Sequence, residues 1–408
     1  MQLKNTPRLV LATLAALACH RTSAATPPAA PEPPALTSVA SPSPAMPSRP
    51  STPSEPRAPS PACVAGTAPG EPVPVDRLVE RAGDEFNAGH FDRTLDCAME
   101  AIRADPATVA AHHYRAAALV ELGRYEEARL AYSHAMALDP TDPEVLRSSA
   151  DLLVRHLGGR EELEIAVVYC QRALPVARLR KDTALEAELD LIAAMALNDL
   201  GRPAEALPAA TRAVELDPDT DSRRERGVAL FELVRFEEAD AEFAKVEATG
   251  PDAWTEHYLG LIAERRGDEK LAKSHFARAR TLDPEAFPAS VDAPPPQFIA
   301  LVDDVKKQLP LDIQRDLARS QFLVEDLPRT DDLVAVDPPL SPGILGLFRP
   351  PPDGAPENAK PAIVLYRRNL ARACKSGDEL RREVRDTLLH EVGHLRGEDD
   401  DELRDRGL

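Results

Sequence analysis

The sequence predicts a multidomain protein in which an all-α solenoid of helical repeats precedes a small α+β domain. Two observations predict the solenoid: a proline that recurs at about the length of a helical hairpin, and a composition with 43% hydrophobic but only 4% aromatic residues. Short β-branched and aromatic runs after residue 294 predict the second domain. In chain order we expect regions at 1–18, 19–75, 76–290 and 294–408.

Residues 1–18 have the features of a signal peptide. A positively charged start precedes the apolar residues 9–17, which are too few to span a bilayer. The run that ends in Cys19 approximates a lipobox, so we expect cleavage before Cys19 and a lipid on that residue. The alternative is plain secretion, with cleavage within residues 23–25. Both predict a bacterial cell envelope location, lipid-anchored or secreted, and the only membrane contact expected is through the lipid anchor at Cys19.

Residues 19–75 are rich in Pro, Ala, Ser and Thr, with almost no bulky apolar side chain. Such a segment cannot bury enough surface to offset the entropy of ordering, which predicts a disordered tether. Cys63 lies in this tether, and the later cysteines are Cys97, Cys170 and Cys374. Without a C-x-x-C spacing a cysteine zinc site is unsupported; one disulfide is conceivable, but the sequence does not pair it.

Residues 76–290 carry an internal repeat. Successive units close at prolines separated by 34, 78, 33 and 33 residues: Pro106, Pro140, Pro218, Pro251 and Pro284. The long interval fits two units that are lengthened by insertions near residues 156–159 and 178–183. The pattern of small and aromatic residues within units resembles tetratricopeptide repeats, and we count about six. This resemblance implies a surface that binds a peptide or protein partner; the alternative is a spacer.

The net charge of −19 and the pI near 5.0 argue against a nucleic-acid partner. Binding to phosphates needs a basic patch, and no cluster of Lys and Arg stands out in the chain.

The motif with the clearest chemistry is H-E-x-x-H, formed by His390, Glu391 and His394. Two histidines four residues apart lie on one face of a helix, so both imidazoles can reach one Zn²⁺ ion while Glu391 faces a water on that ion. The stripe Leu380, Val384, Leu388 and Val392 and the following Gly397 predict an amphipathic helix under the motif. The alternative is a pair of solvated histidines without a metal.

Only 14 residues follow His394, which restricts a downstream third ligand. The third ligand comes either from an upstream residue or from one of six downstream acids. These acids are Glu398, Asp399, Asp400, Asp401, Glu402 and Asp405. We favour Asp400, because Gly397 can take a positive φ and turn a residue three positions later toward the imidazoles. The alternative is a solvated acidic tail with no ligand role.

From about residue 294 to the end, the chain resembles the bacterial zincin-like metallopeptidase domain, a minimal zincin with the pattern HExxHxxGxxD. The resemblance rests on blocks in conserved order: Phe298–Val302, Leu309–Pro310, Phe322–Pro328, Ile344–Phe348, Ile363–Arg368 and Thr387–His394 with Gly397. It implies a small α+β domain, metal ligands His390, His394 and Asp400, and Glu391 as the catalytic residue.

The residue pattern of this domain predicts one helix, three strands and the motif helix. The helix spans 297–308, and the strands are expected at 321–325, 344–348 and 362–366. We expect residues 363–366 to be the edge strand that lines the cleft, with Tyr366 either near the cleft or, as is more usual for an aromatic residue in a strand, in the core.

Two function classes remain. The first is an envelope zinc metallopeptidase with one Zn²⁺ ion, a peptide or protein substrate, Glu391 as general base and a solenoid that recruits proteins. The second is a non-catalytic scaffold lipoprotein with a vestigial metal-binding domain. The presence of Glu391 favours the peptidase, because a structural zinc site needs no general base.

Overall fold

The structure is a computed structural model that describes Cys63, residues 73–351, Pro356 and residues 359–407. The predicted signal peptide, Cys19 and nearly all of the tether lie outside the described residues. Within the part of the chain that the structure describes, no helix is both long enough and apolar enough to cross a membrane.

The solenoid consists of helices that follow one another as antiparallel pairs. Their bounds are α1 Val75–Asn87, α2 Phe91–Ala104, α3 Val109–Glu121, α4 Tyr125–Leu138, α5 Pro143–Leu152, α6 Arg160–Arg180, α7 Thr183–Asp199, α8 Pro203–Leu216, α9 Thr220–Glu232, α10 Phe236–Glu247, α11 Ala253–Arg265 and α12 Glu269–Leu282. These helices form six pairs over the described residues, each of which has the hairpin form expected for one repeat.

Close packing within a pair depends on small residues opposite aromatic ones. A β-carbon on Gly260 would lie 2.6 Å from the ring of Phe276, and one on Gly227 would lie 2.7 Å from the ring of Phe243. Phe243 is fully buried, and Tyr132 of the second pair is 2% exposed. These aromatic repeat residues are therefore packing residues.

The third pair is longer than the others, which accounts for the irregular proline interval. A π-helical turn, Leu153–Leu157, follows α5, and α6 has 21 residues. The extra length falls at the two places where the sequence predicts insertions, around residues 156–159 and 178–183.

A disulfide joins Cys63 to Cys97 of α2. Cys63 is buried with Leu78 and Ala111, so it packs against the first pair of helices and the start of the second. The sequence places Cys63 in the tether without a partner, whereas the structure attaches this point of the tether to the solenoid. Cys170 and Cys374 are buried free thiols.

The C-terminal domain begins after the last pair of helices. Its elements are α13 Pro295–Gln308, α14 Leu311–Arg319, β1 Gln321–Glu325, α15 Thr330–Leu333, β2 Gly346–Arg349, β3 Ala362–Tyr366, α16 Arg367–Ala373, α17 Gly377–Arg396 and α18 Asp400–Asp405. The three predicted strands and the first and last predicted helices are confirmed to within two residues, while the additional helices α14, α15, α16 and α18 were not predicted.

The sheet has the order β1-β3-β2, with β1 parallel and β2 antiparallel to β3. The prediction that residues 363–366 form the edge strand is therefore wrong, because β3 has a neighbour on each side. Its five residues are all buried, a continuous apolar run that suits a central strand. The edge strand next to the motif helix is β2.

The two faces of the sheet have different cores. One face carries Phe348, Ile363 and Leu365, which pack with α13, α14 and α17. The other face carries Leu347, Val364 and Tyr366. Tyr366 is fully buried on the face away from α17, so its position in the core is confirmed and a role at the cleft is not.

Candidate metal centre

Helix α17 presents the motif residues because its sequence specifies both ends and one buried face. The Ser376 hydroxyl accepts a hydrogen bond from the Glu379 N–H at 3.2 Å and caps the first turn. The predicted stripe is buried to 2% exposure or less at Leu380, Val384, Leu388 and Val392. At the other end Gly397 has φ of 89°, the left-handed conformation expected from the sequence.

Three potential ligand atoms converge at the end of α17. The Nε2 atoms of His390 and His394 are 3.0 Å apart, and Asp400 Oδ1 lies 3.5 Å from the first and 3.3 Å from the second. Bonds of about 2.0–2.2 Å to a tetrahedral Zn²⁺ place its ligand atoms roughly 3.3–3.5 Å apart. The triangle therefore has the dimensions of three ligands on one small ion.

His394 is held in the orientation that a metal ligand needs. Its Nδ1 lies 3.0 Å from the carbonyl oxygen of Glu398. When Nδ1 carries the proton and donates it to this carbonyl, Nε2 is left with its lone pair directed at the triangle. Although burial lowers the pKa of His394, the combined effects of Asp400, Glu391 and the Glu398 carbonyl outweigh it and raise the pKa above its ordinary value.

Asp400 reaches the histidines because the chain reverses at Gly397 and then forms α18. Leu403 of α18 is fully buried and contacts Gly393 of α17, which fixes the short helix against the long one. Burial raises the pKa of Asp400, but its contacts with the two imidazoles outweigh that effect and lower the pKa to about 2. The carboxylate is therefore ionised at neutral pH.

Glu391 lies beside the triangle and is 3% exposed. Burial raises the pKa of its carboxyl to about 7, against the opposing effect of His390 and His394. The backbone N–H of Phe348, on the edge strand β2, interacts with this carboxylate and also opposes the effect of burial. Gly346 permits the close approach, since a β-carbon there would lie 2.8 Å from Glu391 Oε1.

The donor set fits a zinc ion. Asp400 Oδ1 and His390 Nδ1 are buried polar atoms without a hydrogen-bond partner among the described residues. A buried carboxylate oxygen is costly without a partner, and a cation between the three side chains would supply one for Asp400. Two imidazole nitrogens and one carboxylate oxygen are ligands that Zn²⁺ accepts in open, catalytic sites.

The structure thus brings together all four residues that the sequence singled out. Two neighbouring acids that were also candidate ligands have other partners. The Glu398 side chain pairs with Arg406, and Asp399 Oδ1 accepts the N–H of Glu402. Sequence reasoning missed Gly346, Phe348 and Leu403, which position the site. Leu403 alone left a signal, as an apolar residue in a run of charged ones.

A second group of possible ligand atoms comes from Glu247, Glu256 and His275 in the last repeats. Arg278 occupies this group: its Nε donates to Glu256 at 2.8 Å, and another of its nitrogens lies 2.6 Å from His275 Nδ1. A guanidinium that contacts Glu256 and His275 makes this cluster an ion-pair network.

Comparison with known families gives matches in both the solenoid and the C-terminal domain. Residues 317–408 match the zincin-like metallopeptidase family, and residues 109–142 and 191–253 match two tetratricopeptide-repeat families. The chain therefore carries tetratricopeptide repeats followed by a C-terminal zincin-like metallopeptidase domain. No curated protein matches the chain.

The chain is also similar to solved structures. The pilF protein of Pseudomonas aeruginosa is 16% identical, with 52% of this chain and 92% of that chain covered and a TM-score of 0.44. PilW, a type IV pilus biogenesis factor, is 16% identical, with 52% and 94% covered and a TM-score of 0.44. YrrB, a tetratricopeptide-repeat protein with an unusual peptide-binding site, is 22% identical, with 46% and 93% covered and a TM-score of 0.37. These similarities carry no conclusion about function.

Proposed function

We propose that the protein is a zinc-dependent metallopeptidase of the bacterial cell envelope. The observation that carries the proposal is the triangle of His390 Nε2, His394 Nε2 and Asp400 Oδ1, with the Glu391 carboxylate beside it. Three ligands leave a fourth position of a tetrahedral ion for water or substrate, which is the arrangement of catalytic rather than structural zinc.

The chain's own residues suit hydrolysis of a peptide bond. A bound Zn²⁺ supplies Lewis acidity toward a carbonyl oxygen and toward water. Glu391 then acts as general base, because its buried carboxylate lies within electrostatic reach of both imidazoles of the triangle. Strand β2 is the sheet edge beside this site, and an extended peptide can pair with such an edge.

The solenoid supplies a surface for a protein partner. Tetratricopeptide repeats mediate protein–protein contacts, and in this chain they are fused directly to the catalytic domain. We infer that the repeats recruit the substrate or a regulatory protein.

The envelope location is supported by the disulfide between Cys63 and Cys97. Disulfides persist in secreted and envelope proteins, because reducing systems in the cytosol keep most thiols free. Replacing Cys19 with Ser tests the lipid anchor: we expect the variant to move from the membrane to the soluble envelope fraction. If it fractionates like the wild type, simple secretion replaces the lipid anchor.

The decisive experiment measures metal content and peptide cleavage on the same full-length samples. We expect about one zinc per chain and zinc-dependent cleavage within a diverse peptide library. Glu391→Gln should keep the zinc but lose activity by roughly 10²–10⁴-fold, because an amide does not accept the proton of the attacking water. Bound zinc with no cleavage would instead favour the scaffold function, and a wild type without zinc would exclude the proposed mechanism.

A further inference from the structure

A buried carboxylate of the last repeat holds two arginines of the catalytic domain. Glu264 lies on α11, and its side chain is 9% exposed. Arg368 Nη1 donates to Glu264 Oε1 at 3.2 Å, and Arg372 Nη2 donates to Glu264 Oε2 at 2.5 Å. Both arginines belong to α16, the helix that follows the central strand β3. The solenoid therefore binds the C-terminal domain through charged hydrogen bonds, which are stronger than neutral ones.

The contact continues from Arg372 into the domain through Asn369. Arg372 Nη1 donates to Asn369 Oδ1 at 3.2 Å, and Asn369 is 5% exposed. The Asn369 Nδ2 group donates to two backbone carbonyls, Pro342 O at 2.9 Å and Ile344 O at 2.8 Å. One buried amide thus connects the arginine to the turn that precedes strand β2.

This turn determines where the edge strand begins. Leu345, the next residue, accepts the N–H of Tyr366 at 2.9 Å, and β2 starts at Gly346. Gly346 touches Glu391, and the Phe348 N–H interacts with the Glu391 carboxylate. A shift of the turn is therefore transmitted directly to the proposed general base.

A second repeat holds the same turn from its other end. The Ser341 hydroxyl donates to Glu232 Oε2, at the end of α9, at 2.6 Å. Arg265, next to Glu264, donates to the backbone oxygen of Pro328 at 2.9 Å. The last two repeats thus contact the segment before β2 at separate points, rather than touching the domain only through the linking chain.

We propose that Glu264, Arg372 and Asn369 are positioning residues that set the place of strand β2 and, through Phe348, of Glu391. The last two repeats then belong to the catalytic unit, and the first four remain for partner recruitment. The catalytic meaning of this proposal rests on the proposed peptidase function, whereas the placement of β2 by the solenoid does not.

The test uses the full-length protein and amide hydrogen exchange read by mass spectrometry. Glu264→Ala removes the carboxylate that Arg372 shares with Arg368; Arg368 keeps Asp326 and Glu269 as partners, whereas Arg372 keeps only Asn369 among its hydrogen-bond partners in the described residues. Loss of a hydrogen bond to a charged group corresponds to roughly a tenfold increase in local opening, so we expect about tenfold faster exchange in residues 344–349. Exchange in β1 should stay unchanged, and so should zinc content, because the proposed ligands lie on α17 and α18.

Asp240→Ala is the matched control. Asp240 accepts from Arg266, the residue after α11, at 2.8 Å, so the variant also removes a carboxylate paired with an arginine at this end of the helix. This pair is not connected to Asn369, and the exchange of residues 344–349 should not change. Asn369→Asp, which removes the donor Nδ2, should reproduce the effect of Glu264→Ala from the other end of the connection.

Two results would overturn the proposal: unchanged exchange of residues 344–349 in Glu264→Ala, or an equal increase throughout the catalytic domain, which would mark a general loss of stability. On a peptide that the wild type cleaves, Glu264→Ala should lower kcat/KM while zinc remains bound. If the wild type cleaves no peptide, the peptidase function fails, and the exchange result still decides whether the solenoid positions β2.

Discussion

Gly393 and Leu403 are in contact across the turn that carries Asp400. A β-carbon on Gly393 would lie 2.3 Å from Leu403 Cδ2, closer than a real β-carbon approaches another atom, and 3.1 Å from its Cδ1. The absence of a side chain at position 393 therefore lets α18 lie against α17, and this places Asp400 beside the histidines.

We predict that Gly393→Ala lowers zinc affinity by roughly tenfold, the lower end of the range for residues that orient metal ligands. The added methyl group pushes α18 away and moves Asp400 with it. In a Leu403→Ala background the same substitution should cost less, because the clash is gone. Competition with a zinc chelator measures the affinities. Gly377→Ala is the control, since a β-carbon there meets no atom within 4 Å; equal penalties in both backgrounds would contradict the prediction.

We predict one zinc ion per chain, lost in His394→Ala. This substitution removes one corner of the triangle, and two remaining side chains bind the ion much more weakly. Elemental analysis of the full-length protein after dialysis measures the content. His134→Ala, at an exposed histidine of the solenoid, is the matched control and should keep the ion. Unchanged zinc in His394→Ala would show that the ion binds elsewhere.

We predict that the metal-free protein loses stability as the pH rises through the window from about 4.5 to 7. The folded-state pKa of Glu391 is raised from 4.5 to about 7 by burial, so in this window the folded state binds more protons than the unfolded state. The loss amounts to about 3 kcal/mol at most.

Calorimetry of the chelator-treated wild type and of Glu391→Gln between pH 5 and about pH 8 measures this effect. The glutamine does not titrate, so the Tm of the wild type should fall relative to that of the variant as the pH rises. A difference in Tm that stays constant with pH would refute the burial effect.

We predict that the disulfide stabilises the first repeat. It closes a loop with a sequence separation of 34 residues, for which chain entropy gives about 3–4 kcal/mol. Reduction should therefore increase the exchange of α1 and α2 amides without affecting the C-terminal domain. Cys63→Ser should show this increase already under oxidising conditions and no further change on adding reductant. A wild type insensitive to reductant would argue that the bond contributes little.

The sequence predicted those parts of the site that are encoded locally. The spacing of His390 and His394, the buried stripe of α17 and the turn at Gly397 all follow from residues within one helix and its end. The order of the strands does not, since it depends on pairing between segments far apart in the chain. Residues 363–366 therefore looked like a suitable edge, although they pair on both sides.

The contacts that position the site could not be predicted from the sequence either, because they join segments that are far apart in the chain. Asn369 and Glu264 are more than 100 residues apart, and no local pattern relates them. The partner of Cys63 likewise required the fold, because only packing of the first repeat shows that Cys97 lies within reach.

Strand β2 offers few free backbone groups to which a peptide could hydrogen-bond. The strand has four residues. Because the Tyr366 N–H donates to Leu345 O, the alternation of an antiparallel pair directs the backbone N–H and C=O groups of only Gly346 and Phe348 toward the open edge. The Phe348 N–H is already engaged by Glu391. At about 1 kcal/mol for each hydrogen bond, pairing with this edge alone gives millimolar affinity or weaker. A protein already held by the repeats gains from its high local concentration, so selection among substrates would be made at the solenoid rather than in the cleft.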